Sequence, residues 1–316
     1  DSWTRTVMRA VLLVISLLAS SATFALEPPA GRLPEGVRPI EYWLDLTLDP
    51  RATGLSGTVE MQIRLDTASS LIWLHGKDLR VTSVLARTSN GDEIAGEYAQ
   101  ELDSGVAALR FERPLPSGAV RVKIAYEADY NLNLAGLFKV EEQGDAYVLA
   151  KSESLQARRI LPSIDAPGMK AVFHIRLAVP EGNTVITNTP ELSRVPGADG
   201  MELITFAPTR PMSTYLLSLA AGPFDVVERP PLPANEWRKT PVPLRGIARR
   251  GRGKDLNDIL DITPEMMRVF EEAIEQPYPY KKLDIVAAPQ WPSGATELSA
   301  AITYREERIL LGDQPA

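Results

Sequence analysis

A chain of 316 residues that is 44% hydrophobic and 24% charged has the composition of a globular protein and the length for two ordinary domains. Its formal net charge of -7 argues against nucleic acid or an anionic bilayer as partner, since both need dense cationic faces. Cysteine is absent and histidine occurs only twice, which removes disulfides and thiolate metal sites from consideration.

Arg5 and Arg9 precede the apolar run AVLLVISLLA (Ala10 to Ala19), and small residues follow in SSATFA. A basic flank, an apolar run too short to span a bilayer and a small-residue end predict a secretory signal peptide over residues 1–25, cut after Ala25 or Ala22. The mature protein is then expected to be exported, periplasmic or extracellular, without a stable membrane anchor. The first methionine is Met8, so the natural initiator is expected downstream of residue 1. Residues 26–38 (LEPPAGRLPEGVR) read as a linker.

Period-2 alternation begins next. Tyr42, Leu44, Leu46 and Leu48 share one phase, as do Val59, Met61, Ile63 and Leu65, predicting half-buried strands. Further strands are predicted at Leu71–Leu74, Leu79–Arg87, Val106–Phe111 and Val120–Tyr126. Asn90-Gly91 supplies a hairpin turn, because both residues tolerate positive φ. Beyond residue 145, strands are predicted at Tyr147–Ala150, around Phe173–Val179, and at Thr184–Thr187, Met201–Ala207 and Thr214–Leu219. Many short strands without an amphipathic helix predict a mainly β fold, with a β-sandwich domain over 39–225.

The pattern changes after ERPPLPANEW (Glu228 to Trp237), which predicts a linker over 226–239. RGIARRGRGK (Arg245 to Lys254) reads as a solvated basic loop, without the spacing of a phosphate-binding loop. Thr263-Pro264 fits a helix start, and Met266, Met267, Phe270, Ala273 and Ile274 fall on one helical face. A turn, QPYPYKK, leads to an apolar strand, LDIVAA. Residues 240–316 therefore read as the start of an α/β or α+β domain too short to close its own core.

Two histidines, His75 and His174, without thiols cannot assemble a usual zinc site, and the same scarcity weakens any Ser-His-Asp proposal. Carboxylates remain. Glu297 stands among apolar neighbours, so it needs a cationic partner or solvent. Gly294, without a Cβ, admits close approach of another backbone. An extended segment with one acid can pair with a peptide edge while the acid grips an ammonium group. Glu153 is a second candidate, just past a strand end.

Several ordered blocks resemble the aminopeptidase N family of zinc metallopeptidases. Gly294, Ala295, Thr296, Glu297 and Leu298 are similar to its Gly-Ala-Met-Glu-Asn signature, followed by Tyr304, Arg305, Glu306, Leu310 and Leu311. Ala157, Arg158, Arg159, Leu161, Pro162, Asp165, Pro167 and Lys170 resemble its Ala-Arg-Arg and Asp-x-Pro block. PTRPMSTYLLSLAAGPF (Pro208 to Phe224) and PYPYKKLDIVAAP match two further segments in the same order. The likeness runs from about residue 38 to the end.

The resemblance implies a saddle-like β-sandwich packed on a thermolysin-like α/β catalytic domain, of which this chain holds the incomplete start. It implies that Glu297, with Glu153 from the first domain, binds the free α-ammonium of a peptide substrate. Each close pair would bring up to ~4 kcal/mol of gross attraction at an effective dielectric near 20, before desolvation. The implied substrate-binding set is Glu153, Lys151, Gly294, Ala295, Thr296 and Glu297. Lys151 stands where the family has Gln, a cation placed to pair with Glu153 and compete with the substrate amine. Thr296 and Leu298 replace Met and Asn.

The family's zinc ligands and catalytic groups lie downstream of the signature, so zinc is expected in the full-length protein and no catalytic or metal residue in this chain. The leading expectation is a fragment of an exported zinc aminopeptidase, inactive alone and without stoichiometric zinc. The alternative is a non-catalytic binding or scaffold relative, supported by the changes at Lys151, Thr296 and Leu298. A carbohydrate-binding module has little support, since the five tryptophans are scattered.

Overall fold

The computed structural model describes residues 27–310; the predicted signal peptide lies outside them. Seven strands come first: β1 (Val37–Thr47), β2 (Gly54–Leu65), β3 (Ser69–His75), β4 (Leu79–Arg87), β5 (Glu93–Gln100), β6 (Val106–Leu115) and β7 (Gly118–Asp129). They are followed by β8 (Gly136–Glu142), β9 (Asp145–Lys151), β10 (Val172–Pro180), β11 (Thr184–Thr187), β12 (Glu191–Pro196), β13 (Met201–Phe206) and β14 (Leu219–Gly222). The rest is β15 (Phe224–Leu232), β16 (Val242–Arg249), helix α1 (Asn257–Ile274), β17 (Leu283–Ala288), β18 (Ala295–Thr296), β19 (Ala301–Arg305) and a single turn, α2 (Glu306–Ile309).

Three sheets form. A ten-stranded sheet runs β12-β13-β10-β1-β2-β7-β4-β5-β6-β3, a four-stranded sheet β11-β14-β9-β8, and a five-stranded sheet β15-β16-β17-β19-β18. The predicted alternation decides which face of the large sheet turns inward. Tyr42, Leu44 and Leu46 of β1 are buried beside Val59, Met61 and Ile63 of β2. They share one core with Val148 and Ala150 of β9 and Leu219 and Ala221 of β14. This is the sandwich that the sequence predicted.

The small sheet has a second covered face. Phe138, Tyr147, Leu149 and Ala220 pack there with Ile247, Val286, Trp291, Leu298 and Ala301 of the third sheet and its loops. A sheet buried on both sides reads as a continuous apolar run rather than an alternation, and β9 is buried without interruption from Tyr147 to Lys151. A third core, with Leu244, Leu260, Leu283 and Ile285, lies beneath α1. No helix among the described residues is long and apolar enough to cross a membrane.

Several expectations need correction. Residues 226–239 are not wholly a linker, because β15 reaches Leu232 and pairs with β16. Pro230 and Pro231 fall at a register shift on this edge strand, where a missing N–H is tolerated. The basic stretch from Arg245 is no solvated loop in its first half. Ile247 and Ala248 are buried in β16, and Arg245 and Arg249 are paired with Asp284 and Glu306. Thr214–Leu216 is a 3-10 turn rather than a strand, since Thr214 Oγ1 donates to Asp165 at 2.6 Å.

Helix α1 starts six residues before Thr263. Thr263 Oγ1 bonds back to the Ile259 carbonyl at 2.6 Å, a local bond that lets it sit inside the helix ahead of Pro264. The apolar face is also turned away from the described core: Met266, Val269, Phe270 and Ile274 are exposed.

Candidate functional site

The candidate site forms where β9 leaves the small sheet and meets the loop between β17 and β19. Side chains alternate along β9, so Val148 and Ala150 join the sandwich core while Tyr147 and Leu149 face the third sheet. Lys151 is in phase with Tyr147 and Leu149. Its ammonium therefore emerges beside Trp291, 5.7 Å from the ring centroid.

Lys151 Nζ donates to the Glu153 carboxylate and, at 3.0 Å, to Thr296 Oγ1. Trp291 Nε1 donates to the same hydroxyl at 3.2 Å. Those two donors fill the acceptor positions of Thr296, leaving its own O–H for Ser293 Oγ, 3.2 Å away. Ser293 in turn donates to the Ala295 carbonyl. Lys151 and Thr296 are thus parts of one buried polar cluster joining two sheets. The Lys151–Glu153 pair, which the sequence left open, is present. The bond to Thr296, across 145 positions, was not legible in the sequence.

Among the described residues β18 is an edge strand, paired on one side only, with β19. Its Thr296 points inward, and Ala295 and Glu297 on either side are exposed. Glu297 makes no ion pair with a described residue. Leu298 is buried in the cluster around Trp291, which gives the departure from Asn a packing role. Gly294 is exposed, and a Cβ there would meet nothing within 4 Å. The close approach expected of it is not made by any described residue; its carbonyl accepts from Arg305 N at 3.0 Å.

The loop carrying Glu297 is pinned behind the acid. Asn188 Nδ2 donates to the Ser299 carbonyl at 2.9 Å and to Leu216 at 2.8 Å. Ala300 has a φ of 62°, the left-handed region that a non-glycine residue enters only when its surroundings hold it there. Asp284 N and Lys282 Nζ both donate to its carbonyl.

The turn carrying Glu153 has its own anchor. Asp165 is fully buried; its Oδ2 accepts from Arg158 Nε at 2.9 Å and its Oδ1 from Thr214 Oγ1. Its backbone N–H donates to His75 Nδ1 at 3.1 Å. Residues from separate sequence blocks thereby close one network under the turn. His75 is buried and holds a structural place in this network.

Burial, reinforced by the neighbouring Arg158 guanidinium, pulls the His75 imidazole down to about 4. The folded form refuses a proton that the unfolded chain accepts near 6.5, so stability is lost as pH falls from about 6.5 to about 4. The full effect is on the order of 3 kcal/mol. Urea unfolding at pH 7 and pH 4.5 should show His75→Asn losing less stability between the two than the parent. An identical loss in both proteins would overturn this.

His174 is engaged with Glu41 at 2.6 Å and stacks on Trp43. Among the described residues no group of three or more His, Cys, Asp or Glu side chains could hold a metal ion. The described donor set does not fit a zinc site. Cavities of about 530 and 710 Å³ lie elsewhere, by Arg87 and Arg121 on the large sheet and between Pro211 and Tyr280; neither is lined by Glu153 or Glu297.

Comparison with known proteins agrees with this architecture. The Peptidase M1 N-terminal domain profile matches residues 38–216, and the Peptidase family M1 domain profile matches 259–316. Aminopeptidase M1-B of Oryza sativa subsp. japonica is 27% identical over 284 residues, covering 89% of this chain and 31% of the relative. Aminopeptidase M1 of Arabidopsis thaliana is 27% identical, covering 90% and 32%. Endoplasmic reticulum aminopeptidase 1 of Homo sapiens is 29% identical, covering 88% and 30%. The chain spans about a third of the length of these curated relatives.

Proposed function

This chain belongs to peptidase family M1, and we propose that it supplies the peptide N-terminus recognition of an exported zinc aminopeptidase. Glu297 and Glu153 grip the free α-ammonium, and the open edge of β18 pairs with the peptide backbone. One observation supports this reading: an ammonium, that of Lys151, is held between Glu153 and Thr296, and Glu297, next in the chain, is exposed and makes no ion pair with a described residue. The relatives' names, all aminopeptidases, support the reaction. The basic flank and apolar run of residues 5–19 support export. Zinc enters through the family alone, and no step is derived through it.

The second reading, a non-catalytic binding relative, is favoured by Lys151, which gives Glu153 a counter-ion of its own. The two readings differ in turnover, which only the first includes.

Isothermal titration of the 316-residue protein with alanine amide and N-acetylalanine amide tests recognition. The free amine is expected to bind and the acetylated compound to bind at least about ten-fold more weakly, as is the free amine to Glu297→Gln. Equal affinity for the two compounds would sink the reading.

A further inference from the structure

Lys151 has a proton to spare. An ammonium carries three N–H donors; Glu153 and Thr296 accept two, and the third has no hydrogen-bond acceptor among the described residues. The two members of the ion pair are also unequally held. The Lys151 side chain is 9% exposed and fixed by the end of β9, whereas Glu153 is 44% exposed. Of the two, the carboxylate is the one free to change partner.

A peptide ammonium that claims Glu153 takes away the counter-ion of Lys151. A neutral N-terminal residue then leaves a buried cation unpaired, which is unfavourable. A basic residue adds a like charge beside it. An acidic N-terminal residue brings an ammonium for Glu153 and Glu297 together with a carboxylate for Lys151, so every charge keeps a partner. We infer that this site selects peptides beginning with Asp or Glu, by exchanging the Lys151–Glu153 pair for two ion pairs with the substrate. The inference rests on the amine-anchoring reading above, and Lys151 is its specificity-determining residue.

Titration of the 316-residue protein with glutamic acid α-amide, glutamine amide and lysine amide separates the possibilities. The glutamic acid compound should bind at least about ten-fold more tightly than its uncharged isostere, and the lysine compound most weakly. Lys151→Gln should bring the first two within about two-fold and strengthen glutamine amide, since Glu153 is then free. Lys151→Arg keeps the cation and should keep the preference. Equal binding of the three amides by the parent protein would overturn this inference and leave amine anchoring standing; binding of none would overturn both. A preference that persists in Lys151→Gln would remove Lys151 from the account, and should that variant fail to fold, the ratio in the parent protein decides.

Discussion

Asp165→Ala is expected to lower the unfolding free energy by about 3–5 kcal/mol, because it leaves the buried Arg158 guanidinium without its carboxylate. Asp165 has no exposed surface and accepts from Arg158 and Thr214 on its two oxygens. No other acid reaches Arg158 among the described residues; its remaining bonds go to the Ser104 and Asp165 carbonyls. Asp165→Asn keeps the size and the Thr214 contact, so it should fall between parent and alanine variant. Urea denaturation measures both. A loss below about 1 kcal/mol for the alanine variant would mean that the pair contributes no more than an exposed one. Because Arg158 and Asp165 brace the turn that carries Glu153, the same variant should also bind alanine amide more weakly.

Asp284→Ala should cost a similar amount, about 3–5 kcal/mol, in the other module. Asp284 is fully buried on β17, where Lys282 Nζ and Arg245 converge on it, Arg245 at 2.8 and 2.7 Å. Burial pushes its carboxyl up, and the two cations more than reverse that, holding it below the usual carboxylate range. Lys282 is itself pulled down by burial, with Asp284 opposing. Removal of Asp284 takes away that opposition, so the unfolded chain binds a proton the folded variant gives up. The variant should therefore regain stability as pH rises toward the ordinary lysine value near 10.4. Unfolding at pH 7 and pH 9.5 reads the difference. A variant with no greater pH response than the parent in this range would contradict the assignment. Since Asp284 N and Lys282 both hold the Ala300 carbonyl, the damage should reach Glu297 as weakened amine binding.

The sequence revealed strands that have one wet face. Leu44, Val59 and Ile63 announce β1 and β2 because their neighbours meet water. β12 escaped notice because all of it is exposed and it has no buried phase to alternate with. β15 was hidden by its prolines, which mark a break in general but an edge strand here. In α1 the apolar face was visible, but its surroundings were not, and Met266 and Phe270 turn outward. In the proposed site, Glu153 and Glu297 were named through resemblance rather than through local pattern. The contact that joins their segments, Lys151 to Thr296, depends on the phase of β9 and the position of the third sheet, which neither segment encodes alone.

The small sheet has a further consequence because both of its faces are sealed by apolar side chains, Val148 and Leu219 on one and Tyr147 and Leu149 on the other. Relative motion of neighbouring units is the default only where their seam is small or polar; here any sliding would open an oily joint to water. The end of β9 and the third sheet are thus held in one relative position, as two arms of a caliper locked at one width.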